Sequence, residues 1–280
     1  MNTSSLITEI VDRLKDTAGI EALVLGGSRA RGTHTETSDI DLGIYYHPAK
    51  PLDLQELARV ATEIDDEHRA DVITEIGGWG PWINGGGWLK VKQIPVDFLY
   101  KDLEKIERLI ADCREGRIEI VYQPGHPHAF ESHIYLSEVA LCQPLWDPHR
   151  TLARLKSKVQ PYPLELKRAI VRSFWWESGF SIQIAHKSIA RNDVAYAAGC
   201  CFRCVACLCQ TLFAINEQYW MNEKGAVAIA AGLKIAPSNL RERVEAAFTH
   251  LNASAEGIEA AIHILEELLD ECKALPGLSS

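Results

Sequence analysis

The spacing of apolar residues changes character near residue 147. Before this point, short apolar runs with the period of a strand alternate with segments of helical period. Strands are predicted at residues 21–27, 39–46, 70–76 and on both sides of a turn at 93–95, and helices at 4–17, 54–65 and 102–116. After this point every periodic segment is helical: 152–159, 164–191, 193–220, 240–251 and 255–275. The pattern predicts an α+β chain, with a mixed β-sheet domain over residues 1–147 and a helical bundle domain over residues 148–280.

The composition is that of a soluble globular protein. Of the 280 residues, 47% are hydrophobic and 24% are charged, and no apolar run reaches the roughly 18–20 residues needed to span a bilayer. The N-terminal segment has no basic stretch followed by an apolar one, so we expect a cytoplasmic protein with no secretion signal and no membrane partner. The formal net charge of −9 disfavours binding to long nucleic acid.

Five of the eight cysteines lie between Cys200 and Cys209, within an apolar segment of helical period. One interpretation is a metal cluster. However, Cys200 and Cys207 are roughly 10 Å apart along a helix axis, which is too far for one tetrahedral zinc ion to bind all the thiolates on that helix face. Reduced thiols buried against other helices are therefore the preferred interpretation.

A predicted strand ends at Gly26 and Gly27, and Ser28 then begins a helical turn. Glycines allow the backbone to approach a ligand closely, and the free N–H groups at the start of a helix bind anions. The Ser28 hydroxyl adds a further hydrogen-bond donor. The segment therefore predicts a phosphate-binding turn.

Asp39 and Asp41 are two residues apart in a segment predicted to be a strand, so both carboxylates should project from one face of the sheet. Two like charges at that distance repel each other unless a cation lies between them. Asp97 lies in another apolar strand, and pairing of the two strands would bring the three carboxylates together. Mg²⁺, which prefers carboxylate and phosphate oxygens, is the expected ion, and two ions could be bound at this site.

The Gly27-Ser28 pair, the Asp39-x-Asp41 motif ten residues later and the lone Asp97 resemble the DNA polymerase β-type nucleotidyltransferase superfamily. The resemblance covers roughly residues 20–100 and implies that residues 1–147 form a nucleotidyltransferase domain. It also implies that Gly27 and Ser28 bind phosphate, that Asp39 and Asp41 bind metal, and that Asp97 is a metal ligand or general base. The expected substrate is a nucleoside triphosphate, with ATP as the first candidate.

The C-terminal half is similar to the helical domain of kanamycin-type bacterial small-molecule nucleotidyltransferases. The similarity rests on residues 212–216, on Tyr219-Trp220 and on residues 222–225, with 191–193 before them. It implies that Lys224 reaches either the nucleotide phosphates or the acceptor.

Three further sets of residues have open interpretations. Arg29 and Arg31 either contact phosphate or are solvated, and Arg31 is included among the candidate nucleotide-binding residues. The tryptophans at 79, 82 and 88 either stack on a base or an aromatic acceptor, or hold their glycine-rich loop in place. His126 and His128 suggest a metal site, but two histidines without a third ligand at fixed spacing are a weak signal.

The residues together predict an enzyme that transfers AMP from MgATP to a hydroxyl of a small acceptor, such as an antibiotic. Two alternatives stay open. The first is nucleotidyl transfer to a protein or an RNA, as in toxin–antitoxin systems. The second is a nucleotide-binding regulator without catalysis, which the complete set of carboxylates disfavours. The sequence does not predict an oligomeric state.

Overall fold

The computed structural model describes residues 3–278. The N-terminal part contains α1 (Thr3–Leu14), β1 (Ile20–Leu25), α2 (Gly27–Arg31), β2 (Ile40–Tyr46), α3 (Leu54–Ile64), β3 (Gly86–Val91), β4 (Ile94–Asp102) and α4 (Leu103–Arg114). Next come β5 (Ile120–Val121), β6 (Phe130–Glu131), α5 (Ile134–Leu141), β7 (Gln143–Trp146), α6 (Thr151–Val159) and α7 (Leu164–Ile170). The remaining helices are α8 (Trp176–Ala185), α9 (Val194–Ile215), α10 (Ala226–Ala231), α11 (Leu240–His250) and α12 (Ala255–Cys272). A π-helical turn (Val171–Trp175) precedes α8, and a 3₁₀ turn (His186–Arg191) follows it.

The chain divides into two compact units, each made of two stretches of sequence. The first unit comprises the chain up to Ala111 together with Tyr135–Pro161, and the second comprises Asp112–Ile134 together with the chain from Tyr162 onwards. The two units are defined by their internal contacts. The predicted boundary between residues 147 and 148 separates domains that fold independently, which is a different property, and it stays a prediction.

The first unit contains a five-stranded sheet in the order β3-β4-β2-β1-β7. The β2–β4 pair is parallel, and the other three pairs are antiparallel. The sheet is therefore mixed, and the α+β class predicted from the sequence is confirmed.

One face of this sheet forms the apolar core with α1 and α3. Alternate residues of β2 and β4 are fully buried there, among them Leu42 and Phe98, while α1 contributes Ile10 and Leu14. Each such side chain contributes roughly 1.5–3 kcal/mol by its burial. Because successive strand residues point to opposite faces, the residues between the core positions project from the other face, and Asp97 is one of them.

The prediction of a strand over residues 70–76 is wrong. This segment makes a single bridge to the sheet, between Ile73 and Gly87. The Thr74 N–H donates to the Gly86 carbonyl at 2.8 Å, but the Gly86 N–H donates to the Thr74 hydroxyl at 2.9 Å, so a side chain takes the place of a backbone acceptor there. The sequence analysis also missed β7, a four-residue strand that contains Pro144.

From Leu164 onwards the described chain is mostly helical, as predicted. The helix α9 is long and apolar enough to cross a membrane by length and composition alone, but 78% of its most apolar window is buried inside the protein. It packs against α8, the π-helical turn and α10, and has the character of a core helix. All eight cysteines are buried and none forms a disulfide, so the predicted burial of these thiols is confirmed.

Candidate active site

The parallel pairing of β2 with β4 brings the predicted carboxylates together. Asp41 is directly opposite Asp97 in the register of the two strands. Asp39 lies one residue before β2 rather than within it, but its carboxylate joins the other two. Oxygen atoms of all three carboxylates lie within 4.8 Å of one another. The three residues therefore form one acidic cluster, the carboxylate triad.

The negative charges of the triad repel one another, so a cation would stabilise it. Burial, with the charges of Asp41 and Asp39, raises the pKa of Asp97 to about 7. Within residues 3–278, the carboxylates of Asp39 and Asp97 have no hydrogen bond or ion pair to a cationic side chain. Mg²⁺ binds oxygen ligands at about 2.0–2.1 Å, so one ion can contact carboxylate oxygens separated by up to about 4.2 Å. The oxygens have the chemistry that such an ion prefers, and their separation of at most 4.8 Å is close to this limit.

The turn between β1 and α2 lies directly against Asp41. The Gly26 N–H donates to the Asp41 carbonyl oxygen at 2.8 Å, and Gly27 has a φ of +58°. A Cβ atom on Gly27 would lie 1.7 Å from Oδ2 of Asp41, so a side chain here would collide with the carboxylate. Glycine is thus required both by the backbone conformation and by the space next to the triad.

The residues after Gly27 present groups suited to an anion. The first hydrogen bond within α2 runs from the Ala30 N–H to the Gly26 carbonyl, so the amides of Gly27 and Ser28 precede the helical ladder. Arg31 is partly buried, which lowers the pKa of its guanidinium, and it has no ion-pair partner within the described residues. A partly desolvated cation without a carboxylate partner can bind a phosphate.

Arg29 has a role that the sequence analysis missed. Its guanidinium donates to the Asp39 carbonyl oxygen at 2.8 Å and to the Ser38 carbonyl oxygen at 2.5 Å. These bonds fix the backbone just before β2, and so fix the position from which the Asp39 side chain projects. Arg29 thus positions the triad, and a motif search has no signal for it because the partners are backbone oxygens nine and ten residues away.

Two tryptophans stand beside the triad. Trp88 on β3 is directly opposite Asp97 on β4. Directly paired residues of antiparallel strands project from the same face, so Trp88 shares the face of Asp97. Its side chain is 61% exposed and stacks on Trp79, with ring centroids 4.5 Å apart and planes 19° apart. The third tryptophan, Trp82, lies under the Lys105 ammonium, 4.5 Å from the ring centroid, and so helps to hold the loop.

Lys224 belongs to the second unit. It is exposed in the turn before α10, where its N–H donates to Oδ1 of Asn222 at 3.0 Å. Its proposed contact with phosphate or acceptor stays a prediction.

The chain is similar to known proteins over two separate stretches. Residues 7–118 match the family model described as "Nucleotidyltransferase domain", and residues 132–224 match one described as "Domain of unknown function (DUF4037)". The chain is 34% identical over 105 residues to "Putative protein adenylyltransferase MJ0126" from Methanocaldococcus jannaschii, a match that covers 36% of this chain and 99% of the relative. A crystal structure titled as a nucleotidyltransferase-like protein from Exiguobacterium sibiricum 255-15 aligns over 96% of this chain and 73% of its own, with a TM-score of 0.44 and 11% identity.

The raised pKa of Asp97 predicts a pH-dependent stability of the metal-free protein. A carboxyl whose pKa rises on folding contributes stability below its unfolded value, about 4, and loses it as the pH rises through about 7. In EDTA at about pH 8, Asp97→Asn should therefore melt at a higher temperature than the wild type, and the difference should disappear near pH 4. The exposed Asp71→Asn variant is the control and should show no difference. A metal-free wild type that is more stable than Asp97→Asn at alkaline pH would contradict the electrostatic account.

Proposed function

The chain belongs to the nucleotidyltransferase family, and on that premise we propose that it transfers AMP from MgATP to a hydroxyl group of an acceptor. The observation that carries the proposal is the carboxylate triad, whose oxygens lie within 4.8 Å of one another beside the turn that begins α2. The reaction joins the acceptor oxygen to the α-phosphorus of ATP. The bond between the α-phosphorus and its bridging oxygen to the β-phosphate breaks, and pyrophosphate leaves.

In this proposal the triad holds the metal and accepts the acceptor's proton. Asp39 and Asp41 bind Mg²⁺, and Asp97 is both a ligand and the general base. A bound Mg²⁺ supplies positive charge to the phosphate oxygens and lowers the pKa of an oxygen bound to it. A neighbouring cation favours the charged form of Asp97, so with metal bound its carboxylate would be free to receive the proton near neutral pH. Gly27 and Ser28 bind the phosphates through backbone amides and the hydroxyl, and Arg31 adds a cation.

The arrangement of the sheet supports a direction of approach for the acceptor. The phosphate-binding turn follows β1, whereas Trp88 lies on β3, on the other side of the two strands that carry Asp41 and Asp97. An acceptor hydroxyl that reaches Asp97 from the β3 side would pass over the exposed ring of Trp88. We therefore assign the stacked Trp79–Trp88 pair to a ring of the acceptor, either a sugar or an aromatic group.

The acceptor is a small hydroxylated molecule in our first proposal, as the similarity of residues 212–225 to kanamycin-type enzymes implies. Lys224 would contact the acceptor or the phosphates. The buried free cysteines support the cytoplasm as the compartment.

A protein hydroxyl is the second candidate acceptor, because the archaeal relative is named as a protein adenylyltransferase. The net charge of −9 disfavours RNA. The intact triad disfavours a regulator that binds a nucleotide without catalysis.

The decisive assay combines the pure protein with ATP labelled at the α-phosphate, Mg²⁺ and three acceptor sets: hydroxylated small molecules, folded proteins and RNA. We expect label on a small molecule, and a loss of at least about 10²-fold in rate for Asp41→Asn, since that variant removes a metal ligand. Asp71→Asn is the matched control and should keep the wild-type rate. Label on protein alone would select the second candidate, and unchanged turnover in Asp41→Asn would contradict the site.

The acceptor-side assignment of Trp88 makes a separate kinetic prediction. Trp88→Ala should raise KM for the acceptor by up to about tenfold, the value expected for a lost ring contact, while KM for ATP stays the same. Trp88→Phe keeps an aromatic face and should restore most of the affinity. A raised KM for ATP with an unchanged KM for the acceptor would instead place the nucleobase on this ring.

A further inference from the structure

A second group of polar side chains is buried in the second unit, far in sequence from the carboxylate triad. It consists of His128 before β6, Glu131 on β6, Glu177 on α8 and Cys207 on α9, which we call the buried polar cluster. The side chains of His128, Glu131 and Glu177 are 5%, 0% and 13% exposed, and Cys207 is fully buried. Polar groups at this depth need strong partners, because burial without them costs several kcal/mol.

We propose that His128, Glu177 and Cys207 bind one Zn²⁺ ion. An imidazole nitrogen, a carboxylate oxygen and a thiolate sulfur are all ligands of this ion, and one tetrahedral position is left for a solvent molecule. On binding, the Cys207 thiol loses its proton to solvent and the thiolate becomes the ligand. The site is independent of the proposed nucleotidyl transfer, since no residue of the triad takes part.

The distances match a tetrahedral ion. Ligand bonds of about 2.0–2.1 Å to nitrogen or oxygen and about 2.3 Å to sulfur place neighbouring nitrogen and sulfur atoms about 3.5 Å apart, and nitrogen and oxygen atoms about 3.3 Å apart. In the structure, His128 Nε2 is 3.6 Å from Cys207 Sγ and 3.4 Å from Glu177 Oε1. All three ligand atoms lie within 4.8 Å of one another.

Glu131 supplies an independent observation. Its carboxylate is completely buried, and neither oxygen has a hydrogen-bond partner within the described residues. Oε1 lies 3.4 Å from Nδ1 of His128, on the opposite side of the ring from the ligand nitrogen. A histidine that binds metal through one nitrogen usually donates the other N–H to a carboxylate, which orients the ring. A metal on Nε2 therefore gives this buried carboxylate a function.

The alternative is an ion-pair network around a protonated His128. Burial lowers the pKa of His128, but its contacts with Cys207, Glu131 and Glu177 outweigh this effect and raise the pKa to about 11. Arg203 also donates to Glu177. A proton gives the cluster one positive charge and leaves the Cys207 sulfur as a hydrogen-bond partner of the imidazole, whereas Zn²⁺ gives it two positive charges and binds the sulfur as a thiolate. A spectroscopic signal from sulfur therefore distinguishes the two.

The test is a Co²⁺ titration of the full chain after removal of metals with a chelator, because a cobalt–thiolate bond has a charge-transfer band in the near ultraviolet. We expect the band to saturate at one equivalent and to disappear when Zn²⁺ is added. Carboxylates give no such band, so metal at the triad does not contribute to it. Cys207→Ser should abolish the band, and Glu131→Gln should weaken Co²⁺ binding by about 10–100-fold while keeping the band.

Cys209→Ser is the matched control, because Cys209 is equally buried on α9 but outside the cluster, and it should keep both the band and the affinity. Circular dichroism of each variant identifies any that fails to fold, and the wild-type titration and Glu131→Gln do not depend on the cysteine variants. Absence of the band from the wild type, or its persistence in Cys207→Ser, would overturn the proposal. The cluster would then be the ion-pair network around protonated His128.

Discussion

The carboxylate triad depends on the missing side chain of Gly27. The backbone of the β1–α2 turn approaches Asp41 so closely that a Cβ atom would lie 1.7 Å from its Oδ2. The same turn is tied to β2 through the hydrogen bond from the Gly26 N–H to the Asp41 carbonyl. The groups that would bind phosphate and the groups that would bind metal are therefore held together by one turn, and any side chain at position 27 would separate them.

The second constraint is the parallel pairing of β2 with β4, which places Asp41 opposite Asp97 in a partly buried setting. The fold thereby holds like charges together at a cost in stability, and the raised pKa of Asp97 is the measure of that cost. Proteins retain such arrangements at functional sites, where a cation or a proton transfer makes use of them. The hydrogen bond from Arg29 to the Asp39 carbonyl also maintains the triad, because it fixes the position of the third carboxylate.

The sequence was sufficient for the parts of the site that depend on local spacing. Asp39, Asp41 and Gly27 lie within one strand–turn–strand segment, and Asp97 stands out as a charge in an apolar strand. Features that depend on contacts between distant parts of the chain could not be predicted from the sequence. The segment 70–76 has the composition of a strand, but it makes a single bridge to the sheet, and the Gly86 N–H donates to the Thr74 hydroxyl in place of a backbone acceptor. The buried polar cluster joins three separate segments, so two histidines alone could not indicate it.

The central claim is that the turn at Gly27 and the carboxylate triad form one metal site. Its most direct test is Mn²⁺ binding, followed by electron paramagnetic resonance, to the wild type, Gly27→Ala and Gly32→Ala. Both glycines have positive φ, but a Cβ on Gly32 would meet nothing within 4 Å. The account predicts that Gly27→Ala loses at least about tenfold in affinity, whereas Gly32→Ala keeps it. Equal binding by Gly27→Ala and the wild type would contradict the account.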